Sequence, residues 1–320
     1  MASVPGLVTT ILPVHNRPEM LRASAASVLA QTYRPIELII INDGSTDETG
    51  AVADEIAAQH PDSVRVIHQK NTGVGLAREA GRLAARGEFI QHLDSDDVLY
   101  PRKFETQVAG LQANPECGAS YVCTRAVVNG VMQEAPERRT GERLETMFPT
   151  MLQLRWWATV APLYRAEIIH RAGAWLPLRN EEDWEYDARI AAQGVRLHYG
   201  AEPLAEMRHH DRERLSALGM HPEVLRDRAR AHALILRHGQ AAGIGPDAPE
   251  MKHYARELFL LARQCGDAGL PDESKMLFDL AREASGPRHD HIQFRVYAAA
   301  ARILGWSLTG RIACFTDRFR

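Results

Sequence analysis

The sequence predicts an α/β fold: a mostly parallel, Rossmann-like sheet flanked by helices, followed by an all-helical C-terminal region. Three observations carry this expectation. Before Asp97, short apolar runs rich in β-branched residues alternate repeatedly with helical stripes, the pattern of parallel strands joined by right-handed crossovers. Each run ends in polar residues, as it must where the carboxyl ends of parallel strands form a ligand crevice. Beyond Pro222 the apolar residues recur at helical spacing alone.

Val8-Thr9-Thr10-Ile11-Leu12-Pro13-Val14 reads as a first, doubly buried strand. Asn16 with Glu19 predicts a capping box, and Met20, Leu21, Val28 and Leu29 stripe the helix behind it. A second strand, Glu37–Ile41, ends in Asn42-Asp43-Gly44-Ser45, where Ser45 and Glu48 predict another capping box. The third strand, Val64–His68, leads through Asn71-Thr72-Gly73-Val74-Gly75 into a helix expected to close at Gly87. The fourth, Phe89-Ile90-Gln91-His92-Leu93, runs into Asp94-Ser95-Asp96-Asp97. From Pro115 the order loosens: a hairpin strand Ala119–Val128 turning at Asn129-Gly130, a polar loop Glu134–Arg143, and a strand Val160–Tyr164. Helices over Ala166–Ala172 and Glu182–Gln193 and a strand over Val195–Tyr199 follow. A domain boundary is expected near Met220, with a helical hairpin of Ala255–Cys265 and Glu273–Ala284 beyond it.

The length of 320 residues allows a sizeable core, and a net charge of -3 leaves no electrostatic footprint for nucleic acid. Cys117, Cys123, Cys265 and Cys314 are scattered, which argues against structural zinc and fits reduced cytosolic thiols. The start lacks the pattern of a secretory signal, and no apolar stretch is long enough to span a bilayer. A cytoplasmic location is expected, at most peripheral on the inner face of the membrane.

The chemistry concentrates at the strand ends. In an extended chain Asp94 and Asp96 share a side and Asp97 faces the other. Such a pair suits a hard divalent cation that also holds phosphate oxygens, although a solvated acidic turn explains it equally well. Arg78, placed early in a helix where the dipole disfavours a cation, is expected to face an anionic ligand. Asp43 is either a turn residue or an acceptor for a base or ribose. Glu181-Glu182-Asp183 opens a helix; the dipole explains most of it, but crowding should raise one carboxyl's pKa, which suits a general base. Arg208-His209-His210 offers a metal ligand or phosphate clamp against the plain reading of surface histidines.

Taken in order, these segments resemble the family 2 inverting glycosyltransferases of the GT-A fold. The matching motifs are Leu12-Pro13-Val14-His15-Asn16-Arg17, Ile41-Asn42-Asp43-Gly44-Ser45-Thr46-Asp47, Asn71 and Gly73 with Arg78, Leu93-Asp94-Ser95-Asp96-Asp97, Glu182-Asp183-Trp184, and Met207-Arg208-His209-His210. Glu79 stands where the family often has asparagine, and Met207 where it has tyrosine. The resemblance implies a catalytic domain over residues 1–220, with a nucleotide-binding half to about 115 and an acceptor half over 116–220, before a helical region 221–320. It implies Mn²⁺ or Mg²⁺ and a nucleotide-sugar donor, a UDP-sugar being favoured. Pro13, His15, Asn16, Arg17, Asp43, Asn71, Arg78, Asp94 and Ser95 would bind the donor, Asp96 and His210 the metal, and Asp183 would be the base. The acceptor would be a saccharide or lipid-linked. Two other classes stay open: a sugar nucleotidyltransferase, which would normally place a glycine-rich loop after the first strand, and a non-catalytic nucleotide-sugar-binding protein.

The tail carries one further pattern. Ile292, Val296, Ala299, Ile303 and Trp306 recur at helical spacing beside Arg295, Arg302 and Arg311, with Phe315 and Phe319 beyond. The stripe is expected either to pack on the catalytic domain or a second subunit, or to lie on a membrane surface.

Overall fold

The computed structural model describes residues 3–209 and 221–317. Its contacts divide the chain into two compact units. The first comprises the chain up to Met147, Trp156–Pro177 and the strand that follows Val195. The second comprises Phe148–Arg155, Leu178–Gly194 and the described residues from His221 onward. The boundary expected near Met220 falls outside the described residues.

In the first unit, β1 (Val4–Val14), β2 (Ile36–Asp43), β3 (Val64–Gln69) and β4 (Gly87–His92) lie in the order β3-β2-β1-β4, all parallel. The crossovers carry α1 (Pro18–Leu29), α2 (Thr49–Gln59) and α3 (Val74–Ala84). Every residue of β2 is buried, which is why Ile39, Ile40 and Ile41 form an unbroken apolar run. Each such side chain contributes about 1.5–3 kcal/mol relative to exposure. Next come β5 (Val98–Leu99), α4 (Lys103–Ala113), β6 (Cys117–Val128), β7 (Val131–Pro136), β8 (Pro162–Arg165), α5 (Ala166–Ala172) and, from the third segment, β9 (Arg196–His209). These strands extend the sheet as β4-β8-β6-β9-β5, with β8 antiparallel to both β4 and β6, and β6 parallel to β9. The expected hairpin turn forms at Asn129 and Gly130, both at positive φ.

Local signals failed in two places. Neither capping box forms: the residues preceding α1 and α2 are Arg17 and Glu48, without side-chain caps. Asn16 instead takes a left-handed φ of 51° and binds the next loop, while Asp47 accepts the Thr49 amide at 2.9 Å. The third helix stops at Ala84, and Gly87 opens β4 rather than closing the helix.

The second unit holds α6 (Glu182–Ala191), α7 (Pro222–Ala241), α8 (Pro249–Asp267), α9 (Pro271–Ala284), α10 (Ile292–Leu304) and α11 (Trp306–Asp317). The hairpin of α8 and α9 is as expected, with Met251, Tyr254, Leu258 and Leu261 buried. Phe259, Phe278, Phe294, Tyr297 and Trp306 form an aromatic cluster that seats α10 and α11. The face of α10 that packs carries Phe294, Tyr297 and Ala301. Of the stripe expected either to pack or to lie on a membrane, Ile292, Val296, Ala299 and Ile303 are solvent-facing, whereas Trp306 packs against Phe278 and Tyr297.

Candidate active site

Side chains from three strand ends interlock in the first unit. After β1, the His15 ring contacts the Asp43 carbonyl at 2.9 Å and the Asn71 amide nitrogen at 3.3 Å. Asn16 donates its backbone N–H to Ser45 Oγ at 3.0 Å, and its Oδ1 accepts from the Thr46 amide at 2.8 Å. Gly44, at φ 69°, lets β2 pass close to the next loop, because a Cβ there would sit 2.4 Å from the Asn71 nitrogen. Pro13 lies deeper, buried in β1 in register with Ile41.

Asp43 is buried and fully engaged at the end of β2. Its Oδ1 accepts from Gln69 Nε2 at 2.8 Å and the Thr72 amide at 2.9 Å, and its Oδ2 accepts from the Gly73 amide at 2.9 Å. The carboxylate thereby clamps the loop that precedes α3, a role that charge-assisted bonds of about 1.5–3 kcal/mol each suit well.

The acidic run after β4 is a turn, not an extended strand: the Asp97 amide donates to the Asp94 carbonyl at 3.0 Å. Ser24 Oγ ties it down from α1 by donating to the carbonyls of Ser95 and Asp97 at 2.7 and 2.8 Å. Asp94 and Asp96 still differ from Asp97, but through their partners. Arg78 NH2 donates to Asp94 Oδ1 at 2.6 Å, and Arg17 NH1 to Asp96 Oδ2 at 2.9 Å. Asp97 is buried and accepts the Arg208 amide at 3.1 Å. The Asp94 and Asp96 side chains keep 32% and 20% of their surface exposed, so both remain reachable by solute. Arg78, expected to face an anionic ligand, is instead met here by the carboxylate of Asp94; it is 2% exposed and stacks over the Trp175 ring at 4.9 Å.

The second unit holds the Glu181-Glu182-Asp183 trio at the start of α6. Crowding does not raise the Glu181 carboxyl. Burial pushes it up, but His232 at 2.6 Å and Arg228 at 2.8 Å outweigh that and hold it below the ordinary carboxylate value. Asp183 pairs through Oδ2 with Arg155 NH1 at 2.6 Å, and Arg155 Nε reaches Asp187 Oδ2 at 2.7 Å. Asp183 Oδ1 also accepts the Trp184 amide at 2.7 Å. Trp184 donates its indole N–H to the Met151 carbonyl at 2.9 Å and lies edge-on to His232. His210 lies outside the described residues.

Sequence reasoning missed Arg155, Trp175 and His232. Arg155 stands 28 residues before Asp183 in an irregular stretch, and no periodicity marks it. The one available signal was balance: three adjacent carboxylates at a helix start need cations from elsewhere in the fold.

Residues 9–167 match the model described as glycosyl transferase family 2. YibD of Escherichia coli K12, named an uncharacterized glycosyltransferase, is 38% identical over 99 residues, 31% of this chain and 28% of that protein. The chain thus spans less than a third of YibD. EpsJ of Bacillus subtilis, also named an uncharacterized glycosyltransferase, is 27% identical over 340 aligned residues, 98% of this chain and 96% of that one. S. aureus TarS residues 1–349, solved with UDP-GlcNAc, superposes with a TM-score of 0.71 at 18% identity, covering 97% of this chain and 92% of that chain. The mannosyltransferase PcManGT of Pyrobaculum calidifontis, solved with GDP-Man and Mn²⁺, gives 0.54 at 18% identity, with 98% and 86% covered. At such identities the structural likeness speaks for the GT-A-like fold. With the family model spanning the strand ends described above and EpsJ aligned along nearly the whole chain, this chain belongs to family 2 of the glycosyltransferases.

Proposed function

We propose that the chain transfers a sugar from a nucleotide-sugar donor, a UDP-sugar being favoured, to an acceptor hydroxyl with inversion at the anomeric carbon. The acceptor is a saccharide or a lipid-linked saccharide, in polysaccharide or glycoconjugate synthesis. The observation that carries this reading is the turn Asp94–Asp96 with its two arginine partners, set at the carboxyl ends of parallel strands beside the Asp43-clamped loop. Arginine forks and carboxylates at such an edge suit a nucleoside diphosphate. UDP-GlcNAc in TarS and GDP-Man in PcManGT support the same class of donor.

A divalent cation fits the donor set. Among the described residues no cluster of three or more metal-ligating side chains exists. A cation held by one or two carboxylates and completed by phosphate oxygens and water needs none. Asp96, with Asp94 beside it, supplies hard oxygens of that kind, and His210 is retained as a proposed ligand. When bound, Mn²⁺ or Mg²⁺ would neutralise charge that develops on the departing diphosphate. Asp183 takes the proton of the acceptor hydroxyl as that oxygen attacks, the bond to the diphosphate breaks in line, and configuration inverts. Arg155 orients the carboxylate through Oδ2.

The ion pairs of Arg17 with Asp96 and Arg78 with Asp94 favour a second reading, in which the arginines alone hold the diphosphate. The test is product analysis with UDP-sugar and Mn²⁺. Release of UDP supports transfer or slow hydrolysis, formation of UTP and sugar 1-phosphate that requires added pyrophosphate points to a nucleotidyltransferase, and binding without turnover to a non-catalytic module. Activity that survives a chelator selects the arginine reading.

A further inference from the structure

The two last helices of the second unit are apolar on two sides. Phe294, Tyr297 and Ala301 turn inward, whereas Ile292, Val296 and Ile303 are 63%, 59% and 82% exposed. With exposed Ala299 between them, these residues recur four, three and four positions apart, so they form one stripe along α10. On α11, Leu308 and Ile312 repeat the spacing and are also exposed. A helix that buries one apolar face and presents another to water is costly unless something covers the second.

The charges say what the cover is. Arg295, Arg302 and Arg311 each precede a stripe residue, Val296, Ile303 or Ile312, by one position. One residue is about 100° of helix, so every arginine flanks its stripe on the same side. From His291 to Thr316 there is no Asp or Glu, in a chain whose net charge is -3. A second copy meeting this face through a two-fold axis would bring the same patch to itself, arginines included, with no acid to meet them. An anionic lipid surface accepts both features, the alkyl side chains in the headgroup boundary and the arginines on phosphate.

We infer that α10 and α11 form a docking face for an anionic bilayer, on which the protein lies peripherally. Among the described residues no helix is long and apolar enough to cross a membrane, so attachment through this face is reversible and salt-sensitive. The inference uses no catalytic residue and stands independently of the donor and the base.

Flotation of the whole chain with vesicles tests it. Vesicles of phosphatidylcholine and phosphatidylglycerol should carry most of the protein upward at low salt. Pure phosphatidylcholine, or raising salt to about 0.5 M, where the Debye length shrinks to a few ångströms, should cut the bound fraction at least about tenfold. Ile303→Asp with Leu308→Asp should abolish flotation with at most a small loss of melting temperature, since Ile303 is 82% and Leu308 45% exposed. Arg302→Glu with Arg311→Glu, which leaves the apolar stripe intact, should weaken flotation and keep the fold. A chain that stays at the bottom with anionic vesicles at low salt overturns the proposal. So does a concentration-dependent dimer in sedimentation velocity that the Ile303→Asp, Leu308→Asp variant dissolves while vesicles bind neither form.

Discussion

Asp183 shares a single guanidinium with Asp187, and that geometry separates shape from chemistry in a mutant. Asp183→Asn keeps the side-chain shape and one acceptor oxygen, enough for Arg155 or the Trp184 amide but not for both, and removes the group that takes the acceptor's proton. Turnover should fall about 10²-fold or more while the donor dissociation constant barely changes. If Glu182→Gln is the crippled variant and Asp183→Asn turns over normally, the base has been assigned to the wrong carboxylate. Lys103 offers a residue-scale test that touches no chemistry. Its amine is wholly buried among amide oxygens, donating to Gln91 and, at 2.6 Å, to Gln107, and burial pulls its pKa well below the usual lysine value. The unfolded chain therefore binds the extra proton over the pH range between the lowered value and about 10.5. Stability should rise with pH across that range. Urea midpoints measured from neutral to alkaline pH should show the rise in the native chain and a flatter profile in Lys103→Met; equal slopes would count against it. Residues of this kind are legible in sequence only by type: Asp43, Asp94 and Asp96 stand out at strand ends, whereas nothing local marks Arg155 or Lys103, whose partners are brought together by tertiary contacts.

At the scale of elements, the parallel strands before Asp97 were readable because doubly buried strands demand continuous β-branched runs. The capping boxes were not, since the predicted caps Asn16 and Ser45 bond across two neighbouring loops instead of capping their own helices. The start of α6 shows the same competition at higher energy. Glu181 sits in the left-handed region at φ 60°, a strain of roughly 1–3 kcal/mol for a residue other than glycine. Its ion pairs with His232 and Arg228 on α7 offset that strain. Because these cations hold the folded carboxyl below its unfolded value of about 4.5, the pair contributes stability at higher pH. That contribution is lost as pH falls through the lowered value. The gap in urea midpoint between the native chain and Glu181→Gln should be widest near neutrality and close in acid. A gap that widens on acidification would show that Glu181 is protonated in the fold.

For the whole molecule, fold class and family were legible because the motifs stand in a fixed order at strand ends. The division into units was not, since the second unit takes Phe148–Arg155 and Leu178–Gly194 from within the expected catalytic domain, and nothing in the local sequence of either segment says which unit it packs with. A ligand for one edge of the first sheet nonetheless reports on the fold, because anything that binds only the folded state stabilises it. At a hundredfold excess over the dissociation constant the gain is about 2.7 kcal/mol, which is several degrees in a domain of this size. UDP-sugar with Mn²⁺ should raise the melting temperature by that order. Asp96→Ala, with its side chain at a partly exposed turn, should melt like the native chain without ligand and lose the Mn²⁺-dependent part of the shift. The variant also releases Arg17 from its ion pair, so any residual shift measures what the arginines hold unaided. If chelator leaves the native shift intact and Asp96→Ala enlarges it, the carboxylate competes with the diphosphate for Arg17 and the metal assignment falls.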